Sequence, residues 1–213
     1  MVNADYKKDQ KDLYLPKQMP MPIDVPAMNF IMIDGKGSPD GDEYQSTVQT
    51  LYSLSYTIKM SKKGRNRPSG YFEYVVPPLE GLWWCESGKL DLSVPRSEWS
   101  WTAMIRQPEF VTDDVFKRAV AESKAKKPEV NVSKARFAGF TEGLCVQIMH
   151  IGPYEDESRS IELIDRYISE NGLENITGDA GKHHEIYLSD PRKTDADSLR
   201  TVIRIPVRRR LPQ

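Results

Sequence analysis

Hydrophobic and polar positions along this chain follow two rhythms that alternate. Residues 27–35 (AMNFIMIDG) form a near-continuous apolar run closed by Gly35, Gly37 and Pro39, which predicts a strand. From residue 43 to about residue 62, Val48, Leu51, Tyr52, Leu54, Ser55 and Ile58 recur at three- and four-residue spacings. That is the period of a helix with one buried face. Asp40 or Asp42 is placed to cap it, and Lys59, Lys62 and Lys63 sit where the helix dipole favours cations. Gly64 and Pro68 stop it. Residues 70–76 (GYFEYVV), ended by Pro77 and Pro78, predict a second strand, and 82–86 (LWWCE) a short apolar piece. Residues 97–107 predict a third strand, ended by Pro108. Residues 111–126 read as an amphipathic helix with Val115, Phe116, Ala119 and Val120 inward.

The second half repeats this layout. Residues 144–151 (LCVQIMHI) predict a strand closed by Gly152 and Pro153. A helix begins at Asp156 or Glu157, runs through Ile161, Leu163, Ile164, Tyr167 and Ile168, and ends at Asn171 and Gly172. Strands follow at 183–189 and 199–207. Residues 72–77 parallel 184–189, and 102–106 parallel 201–205, which makes Glu73 the counterpart of Glu185. The expected organisation is an irregular arm over 1–25, whose second half Pro16, Pro20 and Pro22 hold extended, followed by one domain over 26–208. Within it, module one covers about 26–110, a bridging helix about 111–127, and module two about 135–208. Two such modules related by an approximate two-fold leave a groove between them, where ligand pockets favour forming.

Composition narrows the function. The chain has 213 residues, with 30 basic against 31 acidic side chains and a net charge of −1, so no global field draws it onto nucleic acid or an anionic membrane. Lys124, Lys126 and Lys127 read as a helix end, and Arg208 to Arg210 as a solvated tail. No stretch approaches a membrane span, and residues 1–17 lack the apolar core of a secretory signal, so the expected compartment is the cytoplasm. Cys85 and Cys145 lack CxxC spacing and are expected as free thiols. Three histidines, without an HExxH pattern, give no expectation of a metal.

Candidate chemistry centres on residues 183–189. Glu185, Tyr187 and Ser189 alternate with His184, Ile186 and Leu188, so a carboxylate and a phenol share one strand face. That face is either solvated surface or a pocket floor. In a ring-lined pocket Glu185 would lose solvation, pair with a cationic ligand or act as a general base on water. Trp83, Trp84, Trp99 and Trp101 lie near Tyr71 and Tyr74, and such rings either pack a core or stack on planar ligands and cations. Candidate ligand-binding residues are Glu185, Tyr71, Glu73, Tyr74, Trp84, Trp101 and Tyr187. Tyr154, after the Gly152-Pro153 turn, and His150, at a strand end, are the candidate catalytic partners of Glu185. Their plainer readings are an exposed loop tyrosine and a hydrogen-bonded structural histidine.

The run Ile151-Gly152-Pro153-Tyr154-Glu155-Asp156-Glu157, the helix ending Glu170-Asn171-Gly172-Leu173, and Glu185-Ile186-Tyr187-Leu188-Ser189-Asp190-Pro191 followed by 199–207 resemble the GyrI-like small-molecule-binding domain. Residues 13–16 and 104–112 are similar to a stand-alone branch with members that resemble cyclopropanoid cyclopropyl hydrolases, which detoxify DNA-alkylating natural products. The resemblance implies an α+β fold of two pseudo-symmetric strand-helix-strand-strand (SHS2) modules with antiparallel sheets and a central ligand groove. It implies a planar hydrophobic or cationic aromatic small molecule as partner, with Glu185 as charge partner. For a hydrolase it implies Glu185 acting on water, a tyrosine hydroxyl or His150 stabilising the developing phenolate, and no metal or organic cofactor. The other expectation is a non-catalytic drug-sequestering or ligand-sensing module acting with a separate transcriptional regulator. No helix-turn-helix precedes residue 25, so direct nucleic-acid binding is not expected.

Overall fold

The computed structural model describes residues 3–63 and 67–210. Its elements in order are α1 (Tyr6–Asp9), α2 (Lys11–Tyr14), β1 (Met21–Val25), β2 (Met28–Lys36), α3 (Asp42–Met60), β3 (Leu79–Trp84) and β4 (Ser100–Gln107). Then come α4 (Asp113–Lys126), β5 (Arg136–Phe140), β6 (Gly143–Ile151), α5 (Glu157–Glu170), β7 (Leu173–Asn175), β8 (His183–Tyr187) and β9 (Arg200–Arg209). Among the described residues the strands form one α+β arrangement, a nine-stranded sheet in the order β1-β6-β9-β8-β3-β4-β2-β5 with β7 on β9. Every ladder is antiparallel.

The order is close to a palindrome. β2-α3-β3-β4 and β6-α5-β8-β9 are the two strand-helix-strand-strand halves, and they meet at the β3–β8 ladder. The turn glycines after the first strand of each half, Gly37 and Gly152, both have positive φ (113° and 135°). Aligning them pairs Gly35 with His150. The ladders then carry Gly35 through Trp101 to Trp83, and His150 through Thr201 to Tyr187. Trp83 is therefore the counterpart of Tyr187. One step inward, Gly81 faces Glu185 directly and holds its equivalent place. The repeat is real, but its expected register is wrong: Glu73 is not the partner of Glu185, and pairing Thr102 with Thr201 is one residue out of step. A one-residue slip inverts every face of a strand.

The strand expected over 70–76 does not form; that segment makes only an isolated bridge between Ala4 and Tyr74. Tyr71 and Tyr74 are both buried, packed against Phe110 with ring centroids 5.0 and 5.9 Å away. Residues three apart point to opposite faces of a strand, so packing both rings on the same Phe110 requires an irregular path. Pro77 and Pro78 precede the true central strand rather than closing a strand before it. The N-terminal arm is also more ordered than expected, with two short helices and an edge strand on β6. β5 and β7 carry no strong signal: one is the glycine-containing RFAGF, the other three residues long.

The sheet buries both faces. On one, Ile31, Ile33, Ala103 and Ile105 pack under Leu51, Leu54 and Ile58 of α3. In the other half, Val146, Ile148, Ile203 and Ile205 pack under Ile164 and Ile168 of α5. Gly35 leaves room for the Trp101 ring, which a methyl group there would overlap. Gly35→Ala is expected to cost about 1–3 kcal/mol by overpacking, read as a lower urea midpoint at unchanged m.

The opposite face is covered by α1 and α2, with Tyr6, Leu13 and Tyr14 against Val25, Met149, Ile186 and Val202. Under that cover lies an ionic network. His184 sits between Glu80 (Nε2 to Oε2, 3.0 Å) and Glu142 (Nδ1 to Oε1, 3.0 Å). Arg204 donates to Glu142 Oε2 (3.1 Å), Gln147 Oε1 (3.0 Å) and the Leu13 carbonyl (2.8 Å). All of these side chains are buried.

Candidate functional site

The helix face of the central ladder carries a second polar cluster. His183, Glu185 and Tyr187 alternate along β8 and therefore share that face. Across the ladder β3 contributes Gly81 opposite Glu185 and Trp83 opposite His183. A Cβ at Gly81 would lie 2.7 Å from Trp83 Nε1 and 3.1 Å from Tyr187 Oη, so the missing side chain lets those groups meet above it. Trp83 Nε1 donates to Tyr187 Oη (2.8 Å), and Tyr187 Oη donates to Glu185 Oε2 (2.8 Å). His183 Nε2 lies 3.1 Å from Glu185 Oε1. Both Glu185 oxygens are thus held, which fixes the carboxylate at the middle of the seam.

Rings surround it. Tyr44, in the first turn of α3, lies 5.3 Å from Trp83 and 5.1 Å from Trp101 by ring centroids. Trp99 meets Trp83 edge-on at 5.9 Å, and Tyr154 meets Tyr187 edge-on at 6.0 Å. Burial, with a smaller push from the Glu185 charge, raises the Tyr44 and Tyr187 phenols above their ordinary range. Tyr154 is pushed up to about 12 by burial, then by Glu157 and Glu185. These hydroxyls stay protonated and can donate hydrogen bonds at neutral pH.

Glu157, the first residue of α5, completes the cluster. It is buried, and its Oε1 has no hydrogen-bond partner. Burial first, and then the Glu185 charge, push its carboxyl well above the usual range, against a smaller opposing pull from Arg96. Glu157, His183 and Glu185 each place one donor atom within 4.8 Å of the others. Two buried carboxylates facing one imidazole make a cation-seeking site. The sequence gives no sign of this grouping, because Glu157 reads as an ordinary acidic residue at a helix start.

Of the residues singled out from sequence, the fold gathers Glu185, Tyr187 and Tyr154 at the seam. It adds Trp83, Tyr44, Trp99, Glu157 and His183. The others lie elsewhere. Trp84 points to the opposite face, beside Phe30, Met32, Leu82 and Met104 and under Lys182. Trp101 is fully buried in the first module's core. Tyr71 donates from Oη to the Lys59 carbonyl (2.9 Å), at the far end of α3 from Tyr44, roughly 22 Å along the helix. Tyr74 lies beside Tyr71, and Glu73 pairs with Lys62 (2.8 Å). His150 has Ser160 Oγ at 3.0 Å from Nδ1 and the Pro153 carbonyl at 3.0 Å from Nε2, so both ring nitrogens are occupied in tying β6 to the α5 start.

A cavity of about 430 Å³ lies over the far end of α3, between Ile58, Met60 and Lys63 on one side and Val115, Arg118 and Glu122 of α4 on the other. It has no aromatic wall and none of the buried carboxylates, so its chemistry is unlike that of the seam.

Residues 19–208 match the GyrI-like small molecule binding domain family. The chain belongs to that family. This GyrI-like domain is similar to an uncharacterized conserved protein from Listeria innocua, at 50% identity and a TM-score of 0.92, covering 97% of this chain and 100% of that one. It is similar to a hydrolase from the same organism at 48% identity and a TM-score of 0.91, with the same coverage. The EcmrR C-terminal domain shares the fold, at 13% identity and a TM-score of 0.54, over 90% of this chain and 98% of that one. No curated protein matches this GyrI-like domain. No helix among its described residues is long and apolar enough to cross a membrane. Both cysteines are free and buried.

Proposed function

We propose that this GyrI-like domain binds planar hydrophobic or cationic aromatic molecules at the β3–β8 seam, in the cytoplasm, and hydrolyses cyclopropanoid DNA-alkylating compounds among them. The observation that carries the reading is Glu185: a buried carboxylate hydrogen-bonded by Tyr187 and His183 beneath Trp83, Tyr44 and Tyr154. Aromatic walls stack planar rings, and a carboxylate beneath them attracts cations or takes a proton from water. The similarity to a Listeria innocua hydrolase supports the catalytic part.

In the proposed reaction a water oxygen bonds to a cyclopropane carbon conjugated to a dienone. The strained carbon–carbon bond breaks, and its electron pair passes through the ring to the carbonyl oxygen. Glu185 accepts a proton from the water, Tyr154 donates a hydrogen bond to the developing phenolate, and the phenolate ends as a phenol by taking a proton from solvent as Glu185 releases the one it accepted. The protein holds the planar ring and the water in reacting geometry. His150 is left out of this scheme because both its nitrogens are engaged in the turn.

The other reading is binding without turnover, as in a sequestering module or a ligand sensor that works with a separate regulator. It is favoured by the full engagement of both Glu185 oxygens. Mass spectrometry of a cyclopropane-containing alkylator incubated with catalytic amounts of protein separates the two. The hydrolase reading expects many equivalents of product, each heavier by one water. Tight binding of unchanged compound refutes hydrolysis and leaves the binder.

A further inference from the structure

We propose that Glu157 holds a proton at the seam beside Glu185, so that a planar aromatic cation enters by displacing that proton while a neutral planar ring leaves it in place. The inference rests on the seam being the ligand site. It adds Glu157 as the residue that sets charge selectivity.

The geometry carries it. The two carboxylates are buried and their donor atoms lie within 4.8 Å. Like charges that close, away from water, do not both stay ionised, and the proton falls to the carboxyl with fewer partners. The two groups are held differently. Glu185 accepts from Tyr187 and faces His183, whereas Glu157 Oε1 is buried with no partner. An unsatisfied buried carboxyl oxygen is costly unless something arrives to meet it.

Among the described residues no lysine or arginine forms an ion pair with Glu157. From β8 it faces Glu185, His183 and Tyr187; from the turn before α5, Tyr154 and Glu155; and from the segment before β4, Arg96. Arg96 is the one nearby guanidinium among these, and it bridges Glu155 (3.7 Å) and Asp40 (3.5 Å) at a half-exposed position. Asp165 of α5 also lies near His183, and burial raises its carboxyl above the ordinary range. The carboxyl's burial and the Glu185 charge agree in keeping Glu157 protonated. A cation stacked against the Tyr44–Trp83 pair and Tyr154 supplies the charge that the proton supplies otherwise, and the proton leaves to solvent.

The test is isothermal titration calorimetry with N-methylacridinium as the cation and 9-anthracenemethanol as a neutral ring of similar shape. Titrations in two buffers of different ionisation enthalpy count the protons. Wild-type protein is expected to release close to one proton per cation bound, with affinity rising by up to about tenfold per pH unit below the pKa of the Glu157 carboxyl. 9-Anthracenemethanol releases none, and its affinity stays flat. Glu157→Gln abolishes the release and makes cation affinity independent of pH. Cation binding without proton release in the wild type overturns the proton on Glu157 while leaving the seam as a ligand site. Failure of both rings to bind overturns the ligand reading and this inference with it.

Discussion

Glu185→Gln is expected to weaken binding of a planar cation about 30- to 4,000-fold and to abolish hydrolysis, while the fold stays intact. The amide matches the carboxylate in shape. Its oxygen still accepts from Tyr187 Oη, and its NH2 still meets His183 Nε2, the imidazole serving as acceptor through the other tautomer. What the substitution removes is charge. Losing one partner of a buried charge pair costs about 2–5 kcal/mol, which gives the stated range. A neutral planar ring keeps its stacking on Trp83, Tyr44 and Tyr154, so its affinity changes by less than about threefold. Fluorescence titration with both probes, beside a thermal melt, reads all of this. Equal losses for both rings, or a collapsed melting temperature, would mean that Glu185 shapes the seam rather than charging it.

Arg204→Met is expected to destabilise the protein by about 3–5 kcal/mol, the largest stability effect of a single substitution in this account. It leaves Glu142 without its guanidinium, and Gln147 Oε1 and the Leu13 carbonyl without their donor, all under α1 and α2. The same network sets a pH profile. Burial alone would pull His184 down, but the charge of Glu142 and hydrogen bonds to Glu142 and Glu80 outweigh it and raise its pKa to about 9. That contribution is complete below the ordinary value of 6.5 and is lost as pH rises through about 9. Burial would push Glu142 up, but His184 and Arg204 outweigh it and hold it at about 2. Its contribution is complete above the ordinary value of 4.5 and is lost as pH falls through about 2. The pair therefore stabilises most between pH 4.5 and 6.5. Urea unfolding across pH should show that plateau, and Arg204→Met should move its acid limb to higher pH.

Much of the fold is legible in the sequence because burial imposes simple periods. Leu51, Leu54 and Ile58 announce α3, and Ile161, Ile164 and Ile168 announce α5. The repeat itself is visible, yet its register is not. The aromatic stretch 70–76 imitates a strand more convincingly than β3, whose LEGLWW carries a glutamate and a glycine in the middle of the sheet. Those two residues are explained only in three dimensions. Glu80 meets His184 from 104 residues away, and Gly81 makes room for the Trp83–Tyr187 hydrogen bond. Strand parity shows that Glu185 and Tyr187 share a face but is silent about which tryptophan of the Trp83-Trp84 pair joins them. Tyr44 and Glu157 reach the seam because both helices begin above it, and nothing local in the sequence reports where a helix start lands.

On the proposed reading, the β3–β8 seam, with Glu185 at its middle, is where this GyrI-like domain takes its ligand. A crystal structure with N-methylacridinium bound tests it most directly. The ring is expected against the Tyr44–Trp83 pair and Tyr154, with its charged nitrogen directed at Glu185 and Glu157. A ring seated instead in the α3–α4 cavity beside Ile58 and Arg118, with the seam side chains unmoved, would contradict it.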